Sequence, residues 1–388
     1  MRIASTGTDN DKASDARANE GRRQRAKKLL AAVTTAALDH KPAHPVTPLI
    51  LEQFTSVNIT DATILTLPEK LAKFHKGFGG NSSEAAMKIQ ATLDIKSKSF
   101  RMIDLIDDAT ESDNGYVSRL VEQMGPNELY IFDLGYYGIE GFEAIAGKGA
   151  YFISKLKGGV TVCDSENTEV NLYTMLKSAN SIDRTVIIKG SYGKTLQVRL
   201  VGVRLPAAVY SDRIRKARKT AESSGKTLSK EATERLKWIL IVTNVERDLL
   251  SFDAICELYR MRWQIELVFK SWKSHFKLDE MNNVGKDYLD CLIIGKLITI
   301  TALTALYSIL CTQVFRVMTR RLSFLRFMKN MRQELSVISD YITRTKDLLC
   351  AAFDRVIRKS LIDIRHRKTT EQVISAFDLP LEVLIMLA

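Results

Sequence analysis

The sequence predicts an α/β protein built on a mixed β-sheet with flanking helices. Three observations carry that expectation: three strand-like segments in close succession after residue 56, alternating helix-like and strand-like segments up to residue 156, and a long segment of helical period after residue 250. Taken in order, the first 45 residues are polar, poor in aromatics and without apolar periodicity, the composition of a disordered or loosely helical leader, with order beginning near Pro45. They hold no apolar stretch of the kind a secretion signal needs, which predicts a cytoplasmic, nucleoid-associated location.

VNITDATILTL (57–67), AMKIQATLDIK (86–96) and FRMIDLID (100–107) are rich in β-branched and apolar residues and are separated by turn-prone stretches such as GFGGNSS. They predict an antiparallel meander. SDNGYVSRLVEQMG (112–125) has helical spacing, ELYIFDLG (128–135) is a short apolar strand that runs into Asp133, GIEGFEAIAGKG is a second short helix, and AYFISKL (150–156) is a further strand. The pattern then changes. Between 157 and 236, EVNLYTML, RTVIIKG and TLQVRLVGVRL read as strands, and SDRIRKARKTAESSGKTLSKEATERLK as a basic helix or helical hairpin. KWILIVTN (237–244) returns to strand, and SFDAICELYRMRWQIELVFKSWKSHF reads as one helix opened by a serine N-cap. The organisation expected is a leader (1–45), a core in two parts (46–156 and 237–300) interrupted by a β-rich insertion (157–236), and a helical C-terminal region (301–388). LITITALTALYSILC (297–311) is uncharged but has only 15 residues, where a bilayer span needs about 20, so it predicts a buried core helix and no membrane partner.

Lys and Arg number 57 against 45 Asp and Glu, a net charge of +12 that points to an anionic partner, most economically nucleic acid. The five cysteines are scattered and never in a CxxC pair, which speaks against a disulfide framework or a zinc site.

The most informative stretch is YRMRWQIELVFKSWKS (259–274). On a continuous helix, Tyr259, Arg262, Glu266 and Lys273 return to within roughly 60° of one another and form a polar stripe. Leu258, Met261, Ile265, Val268, Phe269 and Trp272 form an adjacent apolar face that would pack on the sheet. On an isolated helix, Arg262 and Glu266 would be an ordinary salt pair worth about 0.2–0.5 kcal/mol. Two further carboxylates raise the significance of the stripe. Asp61 interrupts an apolar strand, and Asp133 ends another, although an aspartate at a strand end is more often a turn former. With Glu266 they supply three carboxylates from two strands and one helix. Hard divalent cations such as Mg²⁺ prefer such oxygens, and two of them about 4 Å apart can activate an attacking hydroxyl and stabilise the leaving oxygen of a phosphodiester. Arg262 and Lys273 would hold the DNA backbone beside them.

Tyr259-x2-Arg262-x3-Glu266-x6-Lys273 resembles the Y-x2-R-x3-E-x6-K signature of DDE transposases of the insertion sequence 4 family, and the resemblance runs from about residue 57 to about 280. TDATILTLPEKL is similar to the family's first-aspartate segment and IFDLGYY to its second. The resemblance implies a ribonuclease-H-like catalytic core interrupted by a β-rich insertion. It implies Asp61, Asp133 and Glu266 as a catalytic triad binding Mg²⁺ or Mn²⁺, two ions in all, with Tyr259, Arg262 and Lys273 gripping DNA phosphates. It also implies a base-stacking role for Trp238, although a tryptophan in KWILIVTN is ordinarily core. The implied function is cut-and-paste DNA transposition by a homodimer on double-stranded transposon ends and target, with a hairpin intermediate as one route. The alternatives are a ribonuclease-H-like nuclease without strand transfer and a catalytically inactive DNA-binding derivative.

Overall fold

The computed structural model describes residues 20–34 apart from residue 22, and 49–362 apart from 191–192, 282–283, 319 and 343–345. The rest of the expected leader, Pro45 included, and the end of the C-terminal region lie outside the described residues. In chain order the elements are helix α1 (20–34), α2 (Leu49–Glu52), strands β1 (Ser56–Thr66), β2 (Ala86–Asp94) and β3 (Ser99–Ile106), then α3 (Asp113–Glu122), β4 (Glu128–Phe132), α4 (Ile139–Gly147) and β5 (Tyr151–Lys155). Next come β6 (Thr161–Cys163), α5 (Leu172–Ser178), β7 (Ser181–Lys189), β8 (Thr195–Arg204), α6 (Ala207–Ser223), α7 (Lys230–Arg235) and β9 (Trp238–Thr243). Helices α8 (Phe252–Arg260), α9 (Trp263–Phe276) and α10 (Lys286–Met318) follow, then β10 (Arg321–Leu322), α11 (Phe324–Ile342), α12 (Lys346–Ser360) and β11 (Leu361–Ile362).

The chain forms two compact units, with one division falling between Thr60 and Asp61 inside β1 and another between Trp263 and Gln264 at the start of α9. The unit that holds Val46–Thr60 and Ser112–Trp263 is a mixed sheet. In it β1 pairs parallel with β4, β4 parallel with β5, and β5 antiparallel with β9. Strands β9, β8, β7 and β6 then continue in antiparallel register and extend the sheet. The five residues of β4 are all buried, as expected of a central strand covered on both faces. Asn244 clamps the β5 edge by accepting from the Phe152 N–H at 2.8 Å and donating to the Ala150 carbonyl at 2.9 Å. Arg199, buried in β8, binds Asp183 through Nε and Nη2 at 2.8 Å each and donates from Nη1 to the Leu250 carbonyl at 2.6 Å. Its charge is fully paired, which is the condition for burying a guanidinium.

Local signals decide the helix starts. Ser112 and Ser251 accept from the N–H groups of Gly115 and Ala254 and cap α3 and α8, the second of these being the cap the sequence leads one to expect. EVNLYTML, expected to be a strand, instead turns into helix α5. The Asn171 side chain accepts from the Thr174 N–H at 3.0 Å, and this cap outweighs the weak strand preference of the residues after it. The expected single helix over 251–276 is also two helices. At Met261 and Arg262 the Met261 N–H is shared between the Glu257 and Leu258 carbonyls, and the Arg262 N–H bonds back only three residues, to Tyr259. This 3₁₀-type turn ends α8, and α9 begins afresh.

The other unit holds β2 and β3 in antiparallel register, the end of β1, and helices α1 and α10 to α12. All nine residues of β2 are buried. Helix α10 is long and apolar enough to cross a membrane by length and composition. Here it packs as a core helix: it buries Ile293, Leu297, Ile300 and Thr304, and Ser308 donates to the Ser97 carbonyl at 2.6 Å. At its start, Asp290 is buried in a network that draws in α1. Arg23 pairs with Asp107 and, through Nε at 3.0 Å, with Asp290, while Lys286 lies 3.6 Å from Asp290. The fully buried His75 has Nδ1 at 3.2 Å from Asp107 and Nε2 at 3.3 Å from Asp290. Helix α1 therefore ties part of the expected loose leader to this unit through Arg23.

Burial presses the His75 imidazole down, but Asp107 and Asp290 outweigh it and hold it above its ordinary value. Burial presses Asp107 up, and His75 and Arg23 outweigh it, leaving the carboxyl well below the usual range. The His75 contribution is thus complete below about pH 6.5 and is lost as pH rises through the elevated folded value. The Asp107 contribution is present above about pH 4 and is lost as pH falls through the depressed folded value. Stability of this unit should therefore be highest between about pH 4 and 6.5 and decline toward pH 9. Asp290→Ala, which strands buried cations, should cost about 3–5 kcal/mol and flatten the alkaline limb. Urea midpoints at pH 5.5 and 9 check both, and equal midpoints for the parent chain would count against the network.

Candidate active site

The expected site residues fall on elements whose pairing fixes where they stand. Strands β1 and β4 are parallel, with Thr60 opposite Phe132. Asp61, still in β1, and Asp133, just past the end of β4, are the next residues in the chain. Asp61 is half-buried, and its Oδ1 accepts from the Ala62 N–H at 2.8 Å. Asp133 stands at the N-cap of a short 3₁₀ turn yet makes no side-chain cap bond. The ordinary turn-forming use of a strand-end aspartate is therefore not what occupies it. Its carboxylate is 41% exposed, and Arg262 Nε lies 3.6 Å from Oδ1. Within the same unit Tyr259 is buried, and the Lys155 ammonium lies 5.5 Å from its ring centroid.

In the other unit, Glu266 is exposed in the first turn of α9, where the helix dipole favours a carboxylate. The apolar face of α9 buries Ile265, Val268, Phe269 and Trp272, and the Trp272 ring packs 5.3 Å from that of Phe100 on β3. This is the packing expected of that face. Lys273 donates to the Ile64 carbonyl at 3.0 Å, which ties α9 to β1 three residues beyond Asp61.

The turn at 261–262 corrects the four-residue stripe. Glu266 and Lys273 share α9, but Tyr259 lies on α8 and Arg262 in the turn, so one helical angle no longer relates all four. Trp238 is corrected too. It is 3% exposed at the start of β9, opposite Arg204, and its indole N–H finds no acceptor among the described residues. A ring so covered offers no face to a base. Trp263, in contrast, is 48% exposed. Its signal was available: it immediately follows Arg262 and falls outside the apolar face of Ile265, Val268 and Trp272. Lys155 carried no signal in the sequence, because only the packing of α8 on β5 brings it to Tyr259.

The sequence profile of the transposase DDE domain matches residues 52–302. The chain belongs to the DDE transposase family. It is 29% identical over 269 residues to the transposase of insertion sequence element IS231F from Bacillus thuringiensis subsp. israelensis, covering 65% of this chain and 56% of that one. It is 28% identical over 344 residues to the IS231B transposase from Bacillus thuringiensis subsp. berliner, covering 82% and 71%. The IS1151 transposase from Clostridium perfringens is 27% identical over 266 residues, covering 64% and 56%. The DDE chain thus spans just over half the length of the first and third of these relatives. A piggyBac transposase in a synaptic complex with hairpin DNA aligns with 81% of this chain and 59% of its own, at a TM-score of 0.41 and 11% identity.

By donor chemistry, Asp61, Asp133 and Glu266 suit a hard divalent cation, being all carboxylate with neither sulfur nor imidazole. Among the described residues, no group of three or more His, Cys, Asp or Glu side chains stands close enough to hold one.

The three tryptophans give a test of this arrangement. Acrylamide should quench one of them, and Trp263→Ala should abolish that accessible fraction while changing stability by less than about 0.5 kcal/mol. Trp272→Ala should cost about 3–5 kcal/mol. A Trp263→Ala protein with undiminished quenching would contradict the burial pattern.

Proposed function

We propose that the chain is a DNA transposase that cleaves transposon ends and joins the freed 3′-hydroxyl to target DNA, with Asp61, Asp133 and Glu266 as its metal-holding carboxylates. The observation that carries this reading is the parallel register of β1 and β4, in which the partners Thr60 and Phe132 are each followed by an aspartate. Membership of the DDE family supports it. A pair of Mg²⁺ or Mn²⁺ ions held by these carboxylates would supply Lewis-acid activation of the attacking oxygen and charge neutralisation at the leaving one.

The remaining residues act on the DNA. Arg262, beside Asp133, can turn its planar fork to a phosphate, and Lys273, next to the backbone of β1, offers a point charge. Tyr259 is buried beneath the Lys155 ammonium, so its part is to support the turn that presents Arg262. The reading includes a homodimer that bridges two ends, acts on double-stranded DNA, and works in the cytoplasm at the nucleoid.

The test uses a labelled duplex carrying the DNA that flanks the coding sequence on either side, with Mg²⁺. The parent chain should give cleaved and joined products. Glu266→Gln should lower cleavage by about 10³-fold or more with duplex binding retained, since it removes a ligand and leaves the helix surface intact. Cleavage without any joined or hairpin product would favour a nuclease. Equal activity of Glu266→Gln and the parent would end the carboxylate assignment.

A further inference from the structure

The basic helix α6 within the insertion has a composition that the proposed chemistry does not use. It runs for 17 residues, AAVYSDRIRKARKTAES, and buries none of them. Five of its residues are cationic, Arg213, Arg215, Lys216, Arg218 and Lys219, against two acidic ones, Asp212 and Glu222. Arg215 pairs with Asp212 at 2.8 Å. Arg213, Lys216, Arg218 and Lys219 have no ion-pair or hydrogen-bond partner for their side chains among the described residues. A helix polar all round usually gains its stability from ion pairs or by bridging between bodies. Here the charges are mostly of one sign and mostly uncompensated, so the cations repel one another in the free chain.

We propose that α6 is a second DNA-binding surface, which grips the phosphate backbone of duplex DNA without reading its sequence. The inference rests on the reading of the chain as a DNA transposase and adds to it where the flanking or target duplex is held. Charge complementarity selects the partner: four uncompensated cations within seven residues match the dense negative charge of a duplex and would release its counterions. An anionic membrane is the poorer match. An interfacial helix needs a broad apolar face, and the larger apolar side chains of α6 are confined to Val209, Tyr210 and Ile214.

The experiment measures binding of the full chain to a random-sequence duplex in EDTA across a salt series, so that cleavage plays no part. The combined substitution Arg213→Gln, Lys216→Gln, Arg218→Gln and Lys219→Gln keeps good helix formers at each position. It should reduce the slope of log K against log salt by about 3–4 and the affinity near 0.1 M salt by about 10²–10³-fold. Asp212→Asn with Glu222→Gln should move both quantities the other way, which preserves the test if the first variant folds poorly. Neutralising the exposed Lys148, Lys157 and Lys177 elsewhere in the same unit controls for net charge and should change the slope little. An unchanged slope in the α6 variants, an equal loss in the control, or loss of binding to anionic vesicles with DNA binding intact would each overturn the proposal. Failure of the parent chain to cleave ends, with the α6 effects as stated, would instead count against the transposase reading alone.

Discussion

Parallel pairing of β1 with β4 is the constraint on which the rest of the structure depends. Parallel strands cannot be joined by a tight turn and need a crossover, and the chain between them supplies β2, β3 and α3. Because both strands run the same way, residues that leave the pairing do so at the same end of the sheet. Thr60 and Phe132 mark that end, and Asp61 and Asp133 follow them. A register shift of one residue would turn each side chain to the opposite face. The apolar residues of β4, all buried, make such a shift expensive.

Side-chain ties then hold, within each unit, the segments that carry the remaining candidates. Arg262 is held toward Asp133 in one unit, and Lys273 is bonded to the carbonyl of Ile64 in the other. The break between α8 and α9 means that one helical angle does not relate all four polar residues. Trp272 against Phe100 sets the roll of α9, and Glu266 is left on the exposed side.

Much of this was legible in the residues themselves. Alternation and β-branching located β1, β2 and β3 within a residue or two, and the serine cap of α8 stood where its side chain could reach the amide three residues on. The family signature was readable because its four residues lie close together in the chain. Other features depend on contacts that no local window contains. The break at Met261 has neither glycine nor proline to announce it. Asn171 appears as one polar residue in a strand-like run until its side chain is seen to cap α5. Arg23, His75, Asp107 and Asp290 come from four distant segments, each of which alone reads as an ordinary surface or turn residue. The burial of Trp238 and the exposure of Trp263 follow from strand pairing and from the turn, not from hydropathy.

The claim at the centre is that Asp61, Asp133 and Glu266 converge on divalent cations, and the most direct measurement is iron-mediated cleavage of the protein backbone. Fe²⁺ exchanged into a magnesium site generates hydroxyl radicals that cut the chain beside the bound ion. The account predicts cuts clustered near residues 61, 133 and 266, strengthened by duplex DNA, competed away by Mg²⁺ and absent in Glu266→Gln. Cuts confined to one of the three segments, or unchanged by Glu266→Gln, would contradict it.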